Sequence, residues 1–71
     1  MYKDAILDEL GRLEREVVEG EQQLASQEAL VVALKRQNGD TSEASAVLQM
    51  MREAQQRREM ERQRLLALLH P

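Results

Sequence analysis

The stretch Gln37-Asn38-Gly39-Asp40-Thr41-Ser42 lies slightly past the midpoint of this 71-residue chain and separates two long helical patterns. Asn, Gly and Asp are poor helix formers, which disfavours the alternative of one continuous helix of about 65 residues. A connection this short joins neighbouring helices in antiparallel orientation. The stretch therefore predicts an all-α, antiparallel two-helix hairpin, with helices at about residues 4–37 and 42–69.

The residues of this turn carry the signals that end one helix and begin the next. Gly39 suits the C′ position, because glycine enters the left-handed region without steric cost. Asp40 offers a carboxylate to the free amides of the second helix, and Glu43 is placed to complete a capping box. Thr41 or Ser42 is an alternative cap, so the predicted boundary has a margin of about two residues.

The composition is typical of long helices or coiled coils and not of a disordered chain. Charged residues make up 32% of the sequence and aromatic residues 1%, and there is no cysteine, tryptophan or phenylalanine. Lack of cysteine excludes disulfides and thiolate zinc sites, and no apolar run approaches the ~20 residues of a membrane span. We expect one cytoplasmic domain over residues 1–71, without a signal-peptide core near its start.

The first helix has an apolar seam with alternating spacings of four and three residues, as in a coiled coil. The seam consists of Ile6, Leu10, Leu13, Val17, Gly20, Leu24, Gln27, Val31 and Leu34. Gly20 either admits a close neighbour or leaves a weak spot. Gln27 is a polar seam residue of the kind that fixes register.

A second, shallower apolar stripe lies roughly 120° around the same helix, counting ~100° per residue. It consists of Leu7, Gly11, Val18, Ala25, Ala29 and Val32. One partner helix does not cover two stripes, so we predict a homodimer in the form of a four-helix bundle or coiled coil. The candidate dimer contacts are Leu7, Val18, Ala25, Ala29, Leu30, Val32, Leu66 and Leu68.

The second helix is apolar at both ends and polar in its middle. Between positions 55 and 64 the only apolar residue is Met60. Antiparallel pairing about the turn predicts Val17 opposite Arg62 and Glu21 opposite Arg58, with residues 1 to about 8 overhanging. Met50, Met51 and Met60 are expected to fill the core, with an adaptable docking surface as the alternative.

The sequence offers no pattern of residues for catalysis, metal binding or cofactor binding. His70 is the only histidine and follows the second helix, so this pattern places no histidine base beside a hydroxyl and contains no Glu-x-x-His pair for a di-iron site. Five arginines between positions 52 and 64 suggest RNA binding, but Glu53, Glu59 and Glu61 interrupt them and no aromatic residue there stacks on a base. The net charge of −3 also disfavours contacts with nucleic-acid phosphates. We therefore expect no nucleic-acid partner, and the sequence also predicts no membrane partner and no enzyme activity.

Several short motifs resemble one group of proteins. They are Glu19-Gly20-Glu21, Leu24-Ala25, Gln27, Leu30-Val31, Leu34, Asp40-Thr41, Glu43-Ala44 and Arg62-x-Arg64-Leu65-Leu66. Over about residues 17–66 their order and spacing are similar to those of small uncharacterised proteins common in rhizobia and related alphaproteobacteria. The chain departs from that group at Asn38-Gly39, where the group has Gly-His, and at Glu16, where it often has His. The resemblance implies the hairpin fold and brings no known activity.

The function expected from the sequence is that of a non-enzymatic structural or protein-interaction module. Its partners would be a second copy of itself and another helical protein. The alternative is a small RNA-binding hairpin dimer, because the architecture is similar to that of the plasmid copy-number regulator ROP, although no motif is shared. Nucleic acid that co-purifies at low salt would favour the alternative.

Overall fold

Two long α-helices joined by a short turn make up the structure, a computed structural model that describes residues 1–70. Helix α1 spans Tyr2–Arg36 and helix α2 spans Ser42–Leu69. They form a rod of 55 × 15 × 14 Å. The predicted all-α antiparallel hairpin is confirmed, and both helices begin and end within two residues of the predicted positions. The single proline, Pro71, lies outside the described residues.

The contact between the helices is the seam predicted from the four-and-three spacing. Six of its nine residues are buried, and Leu24, Gln27 and Leu34 are half-buried. A repeat of 3.5 residues keeps one row of side chains facing the partner along the whole helix. From α2 the buried residues are Ala44, Leu48, Gln55 and Leu65.

The apolar core is divided into two clusters, one at each end of the rod. The far-end cluster consists of Ile6, Leu10, Leu13 and Leu65, with Leu66 and Leu69 packed against it. The turn-end cluster consists of Val31, Ala44 and Leu48, with Leu24 and Leu34 packed against it. Because Ile6 is buried in the far-end cluster, the predicted overhang of residues 1 to 8 is wrong. Among the exposed large apolar side chains, Met1 and Tyr2 have the highest exposed fractions, 99% and 70%.

Helix α1 ends in a Schellman motif in which Asn38 takes the left-handed conformation, with φ of 56°. The Asn38 amide donates to the Lys35 carbonyl at 3.1 Å and the Gly39 amide to the Leu34 carbonyl at 2.8 Å. These two bonds define the motif and place Gly39 one position beyond the left-handed residue. The prediction of a left-handed Gly39 is therefore wrong, because the helix ends one residue earlier than expected. Asparagine tolerates this conformation through its short polar side chain.

We expect Asn38→Ala to lower the free energy of unfolding by about 1 kcal/mol, because alanine is strained in the left-handed region. Gly39→Ala should cost less, since its φ is ordinary and the new Cβ would lie 3.3 Å from the Leu34 carbonyl oxygen. Asn38→Gly is the control and should be neutral or slightly stabilising. Urea unfolding of the three variants gives their free energies of unfolding, which can then be ranked. A larger loss for Gly39→Ala than for Asn38→Ala would contradict this assignment.

Helix α2 begins with Thr41 as its N-cap residue, and the capping side chain comes from Asp40. A carboxylate oxygen of Asp40 accepts a hydrogen bond from the Ser42 amide at 2.9 Å. That amide, and then the Ser42 hydroxyl, lower the pKa of Asp40 below its ordinary value. No hydrogen bond among residues 1–70 forms the predicted capping box with Glu43. With Thr41 as the cap, Glu43 occupies the second helical position, whereas the box requires the third.

The Asp40 carboxylate should make the stability of the hairpin depend on pH. Its pKa is lower in the folded chain than the ordinary value of 3.8, so the ionised form favours folding. This contribution is present above the unfolded-state pKa and is lost as pH falls through the folded-state pKa. Asp40→Asn retains a capping side chain without the charge. We expect its melting temperature to lie below that of the natural chain by a constant amount above about pH 5.

Below about pH 4 the difference between the two proteins should shrink. Glu61, whose pKa Arg64 lowers, titrates alike in both proteins and does not affect the comparison. Thermal melts between pH 2 and pH 8 provide the measurement. A difference that stays constant throughout that range would show that the charge of Asp40 contributes nothing.

Candidate functional site

The middle of the hairpin contains one buried amide, that of Gln55, which is 8% exposed. Its Nε2 donates to the Val17 carbonyl at 2.7 Å, and its Oε1 accepts from Arg58 Nη1 at 3.0 Å. Gly20 leaves the space for this amide, because a Cβ there would lie 2.8 Å from Gln55 Cδ and closer still to Oε1. Both ends of the amide are hydrogen-bonded, so its burial does not leave an unsatisfied polar group.

A second glutamine crosses between the helices in the opposite direction. Gln27 Nε2 on α1 donates to the Ala44 carbonyl on α2 at 2.9 Å. Together with Gln55, it ties each helix to the backbone of the other and fixes their axial alignment. The predicted neighbours Val17 and Arg62 border one groove, and Arg62 also lies 3.8 Å from Glu14.

The arginines of α2 are engaged mainly with acidic and amide side chains. Two ion pairs of 3.8 Å cross between the helices, joining Glu28 to Arg52 and Glu14 to Arg62. Within α2, Arg62 also pairs with Glu59, Arg64 pairs with Glu61, and Arg58 bonds to Gln55. A phosphate backbone is bound by a continuous basic surface, and alternating acidic residues interrupt such a surface here. This arrangement gives no support to the RNA-binding alternative.

Among residues 1–70 no group of three or more His, Cys, Asp or Glu side chains is suited to holding a metal ion. His70 is exposed immediately after the last residue of α2. Over the same residues, neither helix has an apolar stretch long enough to cross a lipid bilayer. What the surface does offer is a set of exposed apolar side chains.

The longer of two such surfaces, here called the α1 face, runs along α1. It consists of Leu7, Gly11, Val18, Ala25, Ala29 and Val32, the second stripe of the sequence pattern. Leu7 is 47% exposed, Val18 54% and Val32 45%, so α2 leaves this face uncovered. Val18 borders a groove shared with Arg62, and Val32 borders a groove shared with Arg52. The α1 face therefore lies on the same side of the hairpin as the two ion pairs between the helices.

A smaller surface, here called the turn-end patch, lies on the opposite side. It consists of Leu30, Val47 and Met50, all exposed. Leu30 and Val47 border one groove together with Leu34 and Ala44. Leu30 and Val32 are two residues apart, which separates them by ~200° around the helix. The hairpin thus exposes two apolar surfaces that one flat contact does not cover together.

The predicted dimer contacts are distributed unequally over these surfaces. Five of them, Leu7, Val18, Ala25, Ala29 and Val32, lie together on the α1 face. Leu30 belongs to the turn-end patch. Leu66 packs against the far-end cluster within the hairpin, and Leu68 is exposed near the end of α2.

The methionines differ from their expected place in the core. Met51 is half-buried, but Met50 and Met60 are 67% and 66% exposed. The prediction that all three fill the core is therefore wrong for two of them. Met51 belongs to the inward row that includes Leu48 and Gln55, whereas Met50 and Met60 fall outside that row.

No protein-family model matches this chain, and neither a curated protein nor a solved structure matches it. The resemblance to the rhizobial group stays a prediction that depends on the quoted motifs. The two exposed surfaces and the shape of the hairpin are the features that point to a function.

Proposed function

We propose that this protein is a non-enzymatic protein-interaction module that works as a homodimer and presents a further helical surface to another helical protein. The observation that carries the proposal is the exposed area. The hairpin exposes 5476 Å², whereas a compact monomer of 8.2 kDa exposes about 4,500 Å². The excess of about 1,000 Å² is comparable with the roughly 800 Å² that each partner buries in a standard protein interface.

The elongated shape accounts for this excess. The radius of gyration is 16.3 Å, against about 11 Å for a globular domain of 71 residues. A rod 14–15 Å thick is two helices wide, so every helix has a side that faces solvent. Chains below ~80 residues without disulfides or metals are commonly stabilised by oligomerisation.

The separation of the two apolar surfaces supports the second part of the proposal. A two-fold contact through one side of the hairpin leaves the other side accessible. Exposed apolar residues at helical spacing are the type of surface that receives an amphipathic helix from a partner. One side would then serve self-association and the other would bind a different helical protein.

Mass and melting temperature, each measured over a range of protein concentrations, test the dimer. We expect sedimentation and light scattering to give a mass of twice 8.2 kDa. The melting temperature should rise with protein concentration. Val32→Glu should dissociate the dimer, because it would bury an unpaired charge in the contact. Val32 is 45% exposed in the hairpin, so the same change should affect a monomer little.

One result would contradict the proposed dimer. It is a well-folded monomer of 8.2 kDa at every concentration, with a constant melting temperature that Val32→Glu does not change.

A further inference from the structure

We propose that the dimer forms through the α1 face, with the two copies of α1 antiparallel and Asp4 of each copy beside Arg36 of the other. This inference rests on the proposed self-association and adds its surface, its orientation and its register. The occupant of the α1 face is a second copy of this chain. The turn-end patch stays outside the contact.

The length of the α1 face favours it over the turn-end patch. The row of the α1 face extends from Asp4, three residues before Leu7, to Arg36, four residues after Val32, a span of about 48 Å at 1.5 Å per residue. The turn-end patch covers about one turn of each helix, or roughly 5 Å along the axis. An interface of roughly 800 Å² per partner requires the longer surface.

The charges at the two ends of this row determine the orientation. Asp4 lies in the first turn of α1 and Arg36 in the last. In an antiparallel two-fold pair each Asp4 meets an Arg36, and symmetry makes this contact twice. A parallel pair would instead bring Asp4 beside Asp4 and Arg36 beside Arg36, and would align the helix dipoles in the same direction. The Asp4 carboxylate is exposed, with the Met1 amino group 3.9 Å away.

The same register brings the small residues of the face together. Gly11 follows Asp4 by seven residues and Ala29 precedes Arg36 by seven, so they lie opposite each other. Short side chains at this point allow the helix backbones to approach closely.

Two acidic residues beside the face form ion pairs within each hairpin. Glu14 is paired with Arg62 and Glu28 with Arg52, each at 3.8 Å. These pairs reduce the repulsion between the two copies along that edge of the contact.

Charge reversal tests the orientation in the full chain. Asp4→Arg and Arg36→Asp each replace two attractive contacts with two repulsive ones, so we expect the dimer Kd to rise about tenfold in each. The double variant restores opposite charges and should return to within about threefold of the natural Kd. In a parallel dimer each single reversal only exchanges one like pair for another. Single variants with an unchanged Kd, or a double variant as weak as the singles, would overturn the proposal.

Cysteine cross-linking gives an independent measure of register, because the natural chain contains no cysteine. A mixture of Gly11→Cys and Ala29→Cys proteins should form a disulfide between the two types of chain on mild oxidation. Either protein alone should cross-link poorly. Efficient cross-linking of Ala29→Cys alone would indicate a parallel dimer and refute the antiparallel register.

Leu30→Glu is the matched control for the surface. Leu30 is 46% exposed and Val32 45%, but they lie on opposite sides of α1. We expect Leu30→Glu to leave the Kd unchanged while Val32→Glu raises it at least tenfold. A natural chain that is monomeric at all concentrations would reject both proposals. A dimer weakened by Leu30→Glu and not by Val32→Glu would reject the α1 face alone.

Discussion

Replacing Gly20 with alanine is expected to lower the free energy of unfolding by about 2 kcal/mol, although alanine is the better helix former by about 1 kcal/mol. The new Cβ would lie 2.8 Å from Gln55 Cδ and would displace the buried amide. The Val17 carbonyl and the amide would then lose their hydrogen bond, which costs about 1–3 kcal/mol in a buried site. A chain of 71 residues has only about 4–10 kcal/mol of stability in total, so the loss is large.

Two variants separate this cause from a general effect of alanine. In Gly11→Ala the atom nearest to the new Cβ is Arg15 Nη1, at 3.8 Å. This substitution should therefore raise the free energy of unfolding of the hairpin by up to about 1 kcal/mol. In the double variant Gly20→Ala, Gln55→Ala the colliding amide is absent. The double variant should therefore be more stable than the sum of the single changes predicts, by about 1 kcal/mol or more.

Urea unfolding of the natural chain, Gly20→Ala, Gly11→Ala, Gln55→Ala and the double variant, with the mass of each measured in parallel, provides the comparison. The melting temperature of Gly20→Ala should fall by roughly 8–16 °C. If Gly20→Ala were as stable as Gly11→Ala, the amide of Gln55 would not occupy the space beside Gly20.

The seam of α1 could be predicted from the sequence because its four-and-three spacing is unbroken over nine positions. That spacing alone determines which side of the helix faces α2. It includes Gly20 and Gln27, although neither has an apolar side chain. Helix boundaries were also predictable, since Asn, Gly and Asp coincide at one place. The buried side of α1 and the helix boundaries at the turn could thus be predicted because local sequence patterns determine them.

The partner of Gly20 could not be predicted because it depends on axial register. A shift of one turn keeps the same helix faces in contact, so the apolar pattern hardly distinguishes between neighbouring alignments. Polar contacts decide between them, namely the bonds of Gln55 to Val17 and of Gln27 to Ala44. The left-handed position was missed for a similar reason, because Asn38 and Gly39 both tolerate it and the last helical bonds choose between them.

The second stripe could be recognised from the sequence, but its relation to the other exposed residues could not. Leu30 and Val32 were predicted to share one contact, although ~200° of helix rotation separates them. Whether residues beside a seam share one groove depends on where the partner helix lies. Only the packed pair of helices shows that Leu30 shares a groove with Val47, and Val32 shares one with Leu48 and Arg52.

Leu65→Ala is expected to be the most destabilising single change in the far half of the hairpin. Leu65 is 4% exposed, the lowest value among the buried apolar residues, and it packs against Ile6, Leu10 and Leu13. Leu65 is the one buried residue that α2 contributes to the far-end cluster. Its truncation therefore removes the main contact of α1 at that end. Deleting a buried leucine to alanine costs about 2–5 kcal/mol, and a site near a helix end that relaxes partly should cost about 3 kcal/mol.

Leu68→Ala is the matched control, because the chemistry is the same and the position is one turn away but 42% exposed. It should cost less than about 1 kcal/mol. Urea unfolding gives the two free energies, and hydrogen exchange locates the effect. In Leu65→Ala, amides near Leu10 and Leu13 should exchange faster, while those near Val31 and Leu48 in the separate turn-end cluster should change less. Equal losses for the two leucine variants would mean that the far ends of the helices are not packed together through Leu65.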